Sequence, residues 1–241
     1  MRVAVLSDIH GFSIALQTVL ADIDRQGPFD AIVVAGDLCE TGPAPGDVLD
    51  ILQSREDLTV IHGNTDRYLV EEAQPGASSR ERAFTLEQIG DDGVRYLANL
   101  PFSRRITPSG GRGVADDLLV VHANPQNLED ALHPELPEAE VRALLGAAQM
   151  GAVAFGHIHI AYIRTVADRL LVDVSAVGNP KDGDLRCKYG ILTWDAPTVM
   201  WSAEIRRLDY PLDETEEQIR SSGLPKPEKT IRKLRQASYS Q

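Results

Sequence analysis

Apolar runs alternate with helix-like segments over the first sixty residues. Residues 3–6, 31–35 and 59–61 are short apolar runs, each followed by polar residues. Apolar positions over 12–25 recur with the period of a helix, and 47–53 has the same character. This strand-helix-strand-helix-strand order predicts a parallel sheet.

The pattern changes after residue 100. Residues 66–100 are predicted to be mostly helical, with a Pro-Gly-Ser break at 75–79. Seven short strands are then predicted, at 102–107, 118–122, 152–155, 161–166, 170–174, 188–194 and 198–207. One helix is predicted among them, near 138–148. We therefore expect one α/β domain over 1–207, built from stacked sheets covered by helices.

The tail, residues 208–241, differs in composition. It is polar from residue 213 onward, contains Pro225 and Pro227, and has a run of basic residues near its end: Lys226, Lys229, Arg232, Lys233 and Arg235. A partly helical, solvated or flexible terminus is favoured over a binding arm. With no candidate ligand in this segment, we expect the tail to be dispensable for the chemistry.

Composition narrows the function classes. The chain has 241 residues, of which 43% are hydrophobic, and a formal net charge of −12. No membrane-spanning run or signal peptide is evident, so a cytoplasmic protein is expected. Two cysteines are too few for a disulfide framework. The negative charge argues against stable nucleic-acid binding, and a phosphate substrate would need a locally positive site.

Polar residues with metal-binding chemistry follow five of the apolar strands. They are Asp8, His10, Asp37, Asn64, His122, His157 and His159. Because ligands bind at the carboxyl ends of parallel strands, these side chains could meet at one edge. Carboxylate, imidazole and amide ligands suit Mn²⁺, Fe, Zn²⁺ or Mg²⁺. Any one of these histidines or aspartates alone could be a structural residue or a helix cap, so the prediction depends on the ordered set.

That ordered set resembles the calcineurin-like metallophosphoesterases, and most closely their small bacterial and archaeal phosphodiesterases. The motifs are Asp8-x-His10, Gly36-Asp37, Gly63-Asn64-x-Asp66, His122 and Gly156-His157-x-His159. The resemblance covers about residues 1–207. It implies a four-layer αββα sandwich, in which two mixed sheets are flanked by helices.

The resemblance also implies a site with two divalent ions. Asp8, His10 and His159 would bind one ion, Asn64, His122 and His157 the other, and Asp37 would bridge both. Asp37, Asn64 and His122 are the expected catalytic residues. Manganese is favoured, with iron, zinc, nickel and magnesium as alternatives. The implied reaction is hydrolysis of phosphodiesters by metal-activated hydroxide, with phosphomonoesters and nucleotides as further small substrates.

One position departs from the family pattern. Many members have a proton-donating histidine directly after the motif asparagine, and this chain has Thr65. Three other residues are candidate substrate contacts, each with a plainer reading. His62 would otherwise be buried beside the site, Arg67 would form an ion pair at a helix start, and Asn124 would orient His122.

A non-catalytic scaffold is the alternative function. The retromer scaffold subunit resembles the same family and uses its fold to bind proteins. All seven expected ligands are present in this chain, which favours an enzyme. A homo-oligomer is left open.

Overall fold

Two five-stranded sheets form the centre of the molecule in the computed structural model, which describes residues 1–73 and 79–239. The strands are β1 Arg2–Leu6, β2 Ala31–Val34, β3 Leu58–Val60, β4 Ser103–Ile106, β5 Leu118–Val121, β6 Ala152–Phe155, β7 Tyr162–Val166, β8 Arg169–Asp173, β9 Cys187–Asp195 and β10 Met200–Leu208. The first sheet has the order β10-β9-β1-β2-β3, and the second has the order β4-β5-β6-β8-β7. The seven strands predicted after residue 100 all form, within two residues of the expected ends.

The helices cover the outer faces of the sheets. They are α1 Ser13–Gln26, α2 Pro45–Gln53, α3 Asn64–Glu72, α4 Arg80–Ala98, α5 Glu138–Leu145, α6 Leu212–Ser221 and α7 Pro227–Gln236. Ser79 caps α4 by accepting from the Arg82 N–H, and α4 changes direction at Gly90, where φ is 59°. Apart from Ser79, the predicted break at 75–79 lies outside the described residues.

Both sheets are mixed. Strands β1, β2 and β3 run parallel, as the opening pattern predicts. Beyond β1, strand β9 runs antiparallel to β1, and β10 runs antiparallel to β9. In the second sheet β5, β6 and β8 are parallel, and the edge strands β4 and β7 are antiparallel. The carboxyl ends of the parallel strands in both sheets supply the predicted ligand turns.

The alternation of side chains along β1 explains the layering. Val3 and Val5 point into the core between the two sheets, while Ala4 and Leu6 point into the core beneath the helices. A third core lies on the far face of the second sheet, where Val141 of α5 packs. Each sheet is therefore buried on both faces, which confirms the four-layer αββα sandwich.

The C-terminal helices are part of this packing. Ile219, Leu224, Ile231 and Leu234 are buried in the core that also contains α1 and β9. This corrects the expectation of a solvated or frayed tail from residue 213. The tail has few apolar residues, but helical spacing places them on one side of each helix, so a polar segment still buries a continuous apolar face.

Within the described ranges, 1–73 and 79–239, every helix is too short or too polar to cross a membrane. Cys39 and Cys187 are buried free thiols.

Candidate metal centre

The seven predicted ligands come together at one edge of the sandwich. They belong to five turns that follow β1, β2, β3, β5 and β6, and Asn64 is the first residue of α3. The backbone joins neighbouring turns directly, since the Asp8 N–H donates to Gly36 O (3.0 Å) and the Gly156 N–H donates to His122 O (2.9 Å). Both sheets thus contribute to one cluster.

One half of the cluster is formed by Asp8, His10 and His159. The Nε2 atoms of the two histidines are 3.1 Å apart. Asp8 Oδ1 lies 3.2 Å from His159 Nε2 and 3.7 Å from His10 Nε2. Asp37 Oδ2 approaches the same group, at 3.6 Å from His10 Nε2.

The other half is formed by Asn64, His122 and His157. Asn64 Oδ1 is 2.9 Å from His122 Nε2 and 3.2 Å from His157 Nδ1. Asp37 Oδ1 lies 3.5 Å from His122 Nε2. Asp37 therefore presents one carboxylate oxygen to each half.

Each of the four imidazoles is oriented by a backbone carbonyl on its other side. His10 Nδ1 donates to Glu40 O, His122 Nδ1 to Ala35 O, His157 Nε2 to Glu129 O and His159 Nδ1 to Asn179 O, at 2.7–3.0 Å. A neutral imidazole that donates from one nitrogen accepts at the other. The inward-facing nitrogens are therefore acceptors that face one another and the Asn64 oxygen. The lone pairs of these atoms repel each other, and a cation between them would remove the repulsion.

The Asp8 carboxylate also has an oxygen without a hydrogen-bond partner. Asp8 is fully buried, and Oδ1 has no hydrogen-bond partner among the described residues. Burial lowers the pKa of His10, but the Asp8 and Asp37 carboxylates outweigh burial and raise that pKa to about 9. The cluster thus favours positive charge at its centre, which is the electrostatic condition for binding metal ions.

The ligand turns have a strained backbone. Asp8, His10, Asp37, His157 and His159 have φ between 52° and 73°, in the left-handed region that non-glycine residues rarely occupy. Such conformations cost roughly 1–3 kcal/mol each and concentrate at functional sites.

Two glycines let the turns approach the carboxylates. A Cβ at Gly63 would collide with the Asp37 carboxylate, and one at Gly156 would collide with the Asp8 carboxylate. Any side chain at either position would therefore displace a candidate ligand.

Asp66 holds three backbone N–H groups of the cluster. Its carboxylate accepts from Asp37 N (2.8 Å), Leu38 N (2.9 Å) and Gly63 N (2.9 Å). Burial and the nearby Asp37 raise the pKa of Asp66 to about 6. Asp66 thus ties the turn after β2 to the turn after β3.

The donor set fits divalent cations. Two overlapping groups bring ligand atoms within 4.8 Å of one another: Asp8, His10 and His159, and Asp8, Asp37 and His122. Buried oxygen and nitrogen donors with acceptor atoms facing inward match the ligands of borderline metals. The residues at this edge could therefore hold metal.

Asn124 is placed differently from the expectation that it contacts substrate. It is fully buried, and its amide donates to Asp130 O (2.7 Å) and accepts from Gln126 N (2.7 Å). It orders the loop whose Glu129 carbonyl accepts from His157. Asn124 therefore supports a candidate ligand through the backbone, because its own polar atoms are engaged within the loop.

Arg67 and His62 have the contacts that their plainer readings predict, and a substrate contact by either residue stays a prediction. Arg67 pairs with Glu129 and with Glu71 (3.4 Å), as expected for an ion pair near a helix start. His62 is half-buried with its ring edge-on to Phe102, and burial lowers its pKa.

Sequence reasoning missed Tyr68. It lies one helical turn after Asn64, and its hydroxyl donates to Glu129 Oε2 at 2.6 Å. The Glu129 carboxylate raises the pKa of the phenol, burial adds to the rise, and the Asn64 amide opposes it. The i, i+4 spacing on α3 was the available signal, since residues four apart share a helix face.

Comparisons with known proteins identify the family of this chain. Residues 1–196 match the model of the calcineurin-like phosphoesterase superfamily domain. An uncharacterized protein of Methanocaldococcus jannaschii is 25% identical over 92% of this chain and 93% of its own length. A metallophosphoesterase structure from Sphaerobacter thermophilus has the same fold, with a TM-score of 0.75, 24% identity and coverage of 98% of this chain and 100% of that one.

A symmetrical bis(5'-nucleosyl)-tetraphosphatase of Aromatoleum aromaticum is 31% identical over 42% of this chain. That match spans 39% of the tetraphosphatase, so this chain aligns with less than half of that enzyme. The family resemblance drawn from the motifs is confirmed. The chain belongs to the calcineurin-like phosphoesterase superfamily, a family of metal-dependent hydrolases of phosphate esters.

Proposed function

We propose that this protein is a phosphodiesterase that uses two divalent metal ions. Asp8, His10 and His159 bind one ion, and Asn64, His122 and His157 bind the other, with Asp37 shared. The observation that carries the proposal is the inward convergence of acceptor atoms in two groups, each facing one oxygen of Asp37.

Charge supports a phosphate substrate. Two divalent ions outweigh the two carboxylates, Asp8 and Asp37, so the loaded site is positive within a chain of net charge −12. Bound divalent ions supply Lewis acidity and lower the pKa of water toward neutrality. The protein's part is to fix the ligand atoms, through the four imidazole-carbonyl hydrogen bonds and the Asp66 carboxylate.

Leaving-group departure is the weak point of the proposed site. Thr65 stands where many relatives have a proton-donating histidine. Its N–H donates to Asp37 Oδ1 (2.9 Å), and its hydroxyl is buried without a partner in the described part of the chain. A threonine hydroxyl is a poor acid, so esters with stable leaving groups are favoured.

The substrate class is a small phosphodiester or nucleotide. The relatives named as bis(5'-nucleosyl)-tetraphosphatases favour dinucleoside polyphosphates within that class. Manganese is the favoured metal, with iron, zinc, nickel and magnesium as alternatives for the same oxygen and nitrogen ligands. A scaffold function is disfavoured, because it would not require seven converging ligands.

A turnover screen tests the proposal. Metal-free protein would be assayed with Mn²⁺, Mg²⁺, Ni²⁺ and Zn²⁺ against aryl diesters, cyclic nucleotides, dinucleoside polyphosphates and monoesters. Metal-dependent hydrolysis of a diester is expected. Stoichiometric metal binding without turnover of any ester would point to a structural metal protein, and the proposal would fail.

A further inference from the structure

A cavity of about 240 Å³ lies between α7 and the loops that support the first half of the metal centre. Its lining includes Glu40, Asn179, Lys226, Lys229 and Lys233. Three of these residues come from the tail, beyond the family match at 1–196. The cavity therefore joins the family domain to a segment outside the match.

Two residues of the cavity wall also contact candidate ligands. Glu40 and Asn179 line it, and their carbonyls accept from the outer nitrogens of His10 (2.8 Å) and His159 (2.7 Å). The residues that orient two candidate ligands thus also form a wall of the cavity. Through these two carbonyls the cavity wall is one hydrogen bond away from His10 and His159.

Helical spacing brings the lysines to the cavity. Lys226, Lys229 and Lys233 are separated by three and four residues, which places them on one face at the start of α7 and along it. Ile231 and Leu234 occupy the opposite side and are buried in the core. The packing of the tail therefore fixes which basic side chains face the cavity.

Two of the three lysines, Lys229 and Lys233, form no ion pair with the nearby acids among the described residues. The Glu40 carboxylate pairs with Arg82 at 2.9 Å, and Glu81 pairs with Lys226 at 3.5 Å. Across residues 1–73 and 79–239, no carboxylate lies within ion-pair distance of Lys229 or Lys233. Two positive charges thus remain available in a chain of net charge −12.

A further lysine adds to this positive charge. The Lys181 ammonium donates to Asn179 Oδ1. The Lys181 ammonium also lies close enough to Lys233 for the two positive charges to interact. Like charges held close together repel each other, and a bound anion would relieve that repulsion.

We infer that this lysine cavity binds a phosphate group of the substrate other than the one that is hydrolysed. The natural substrate would then contain at least two linked phosphates, as nucleoside and dinucleoside polyphosphates do. This inference rests on the proposed phosphodiesterase function. Lys229 and Lys233 are the residues that contact the second phosphate.

A binding measurement tests the cavity without turnover. Metal-free protein would be titrated calorimetrically with inorganic pyrophosphate at low salt. The variant Lys229→Gln/Lys233→Gln should raise the Kd about tenfold or more, because it removes two charge-assisted contacts. Arg232→Gln, an exposed basic residue on the same helix outside the cavity lining, should leave the Kd within about twofold. Equal Kd values for wild type and the double variant, or no saturable binding by the wild type, would overturn the inference.

A kinetic measurement tests whether the bound group belongs to the substrate. With Mn²⁺ present, the double variant should raise the KM for diadenosine tetraphosphate about tenfold, and the rise for bis(p-nitrophenyl) phosphate should be at least about fivefold smaller. Circular dichroism and Tm would confirm that the variant folds. Equal changes for both substrates, or an unchanged KM for the tetraphosphate, would contradict a substrate subsite.

The two proposals can fail separately. If wild type hydrolyses the diester but not the tetraphosphate, the lysine-cavity inference fails and the phosphodiesterase proposal stands. If wild type hydrolyses neither substrate with any of the four metals, the phosphodiesterase proposal fails. The substrate subsite then fails with it, even if the pyrophosphate titration shows an anion site.

Discussion

The ligand turns and the C-terminal helices lie on either side of the lysine cavity and are held by different forces. The ligand turns have a left-handed backbone and buried charges, and directional hydrogen bonds such as those of Asp66 fix them. The C-terminal helices are held by apolar packing around Ile219 and Leu234. Strain and buried charge reduce stability in return for function, whereas apolar burial contributes stability. Substitutions in the two regions should therefore separate activity from stability.

Asp37→Asn should have the largest effect, on turnover. The change removes the charge shared by both halves of the cluster, and kcat should fall by about 10³-fold or more. Tm should change little, because the side chain keeps its shape. Diester turnover at saturating Mn²⁺, metal content and Tm would be measured, with exposed Asp91→Asn as the charge-matched control. A near-wild-type kcat in Asp37→Asn would contradict the expectation that the ligand turns determine activity and the C-terminal helices determine stability.

Leaving groups should show the second largest effect. With Thr65 in place of a histidine, alkyl diesters lack general-acid assistance that is typically worth about 10²–10⁴-fold. The logarithm of kcat should fall steeply as leaving-group pKa rises, and Thr65→His should flatten the slope. The slope of log kcat against leaving-group pKa would be measured for the wild type, for Thr65→His and for His62→Ala.

Two results would contradict this account of the leaving group. A shallow wild-type slope that steepens in His62→Ala would make His62 the donor. A shallow slope that steepens in Tyr68→Phe would instead assign the proton to the phenol beside Asn64.

Leu234→Ala should show the reverse pattern, with lost stability and retained chemistry. Leu234 is fully buried in the core beneath the helices, and such truncations cost about 2–5 kcal/mol. Urea denaturation would measure the loss, with exposed Gln236→Ala on the same helix as control. The kcat per folded molecule for an aryl diester should stay within about threefold. A stability loss below about 0.5 kcal/mol would mean that the tail does not pack as described.

Tyr239→Phe should have the smallest effect on stability. It tests the contact between the C-terminal tail and the ligand turns. The Tyr239 hydroxyl donates to the carbonyl of Ile158, which lies between the candidate ligands His157 and His159. Losing this hydrogen bond should cost about 1 kcal/mol. Urea denaturation and Mn²⁺ affinity would both be measured. A Mn²⁺ affinity reduced more than about tenfold would show that the tail also sets the ligand geometry.

The elements of the main domain could be predicted because their patterns are strong. The apolar runs that became β1, β2 and β3 have few polar interruptions, and the residues after them carry metal-binding chemistry. The tail was misjudged for the opposite reason. Its buried positions, such as Ile231 and Leu234, are single apolar residues among charges, and composition hides a narrow apolar face.

The sequence allows the candidate ligand side chains to be predicted, but it does not reveal the backbone groups that orient them. The carbonyls of Glu40, Glu129 and Asn179 orient histidines, and a backbone carbonyl carries no sequence signal. Asn124 was misplaced because adjacency to His122 does not fix the direction of its side chain. The lysine cavity could not be predicted from the sequence, because it depends on how α7 packs against the loops of the main domain.

The proposed joint action of two metal ions can be tested by a metal titration. Metal-free protein would receive Mn²⁺ in steps while bis(p-nitrophenyl) phosphate hydrolysis and bound manganese per chain are measured together. We predict negligible turnover without metal and a plateau at two bound ions per chain. Full activity at one ion or fewer per chain would contradict it.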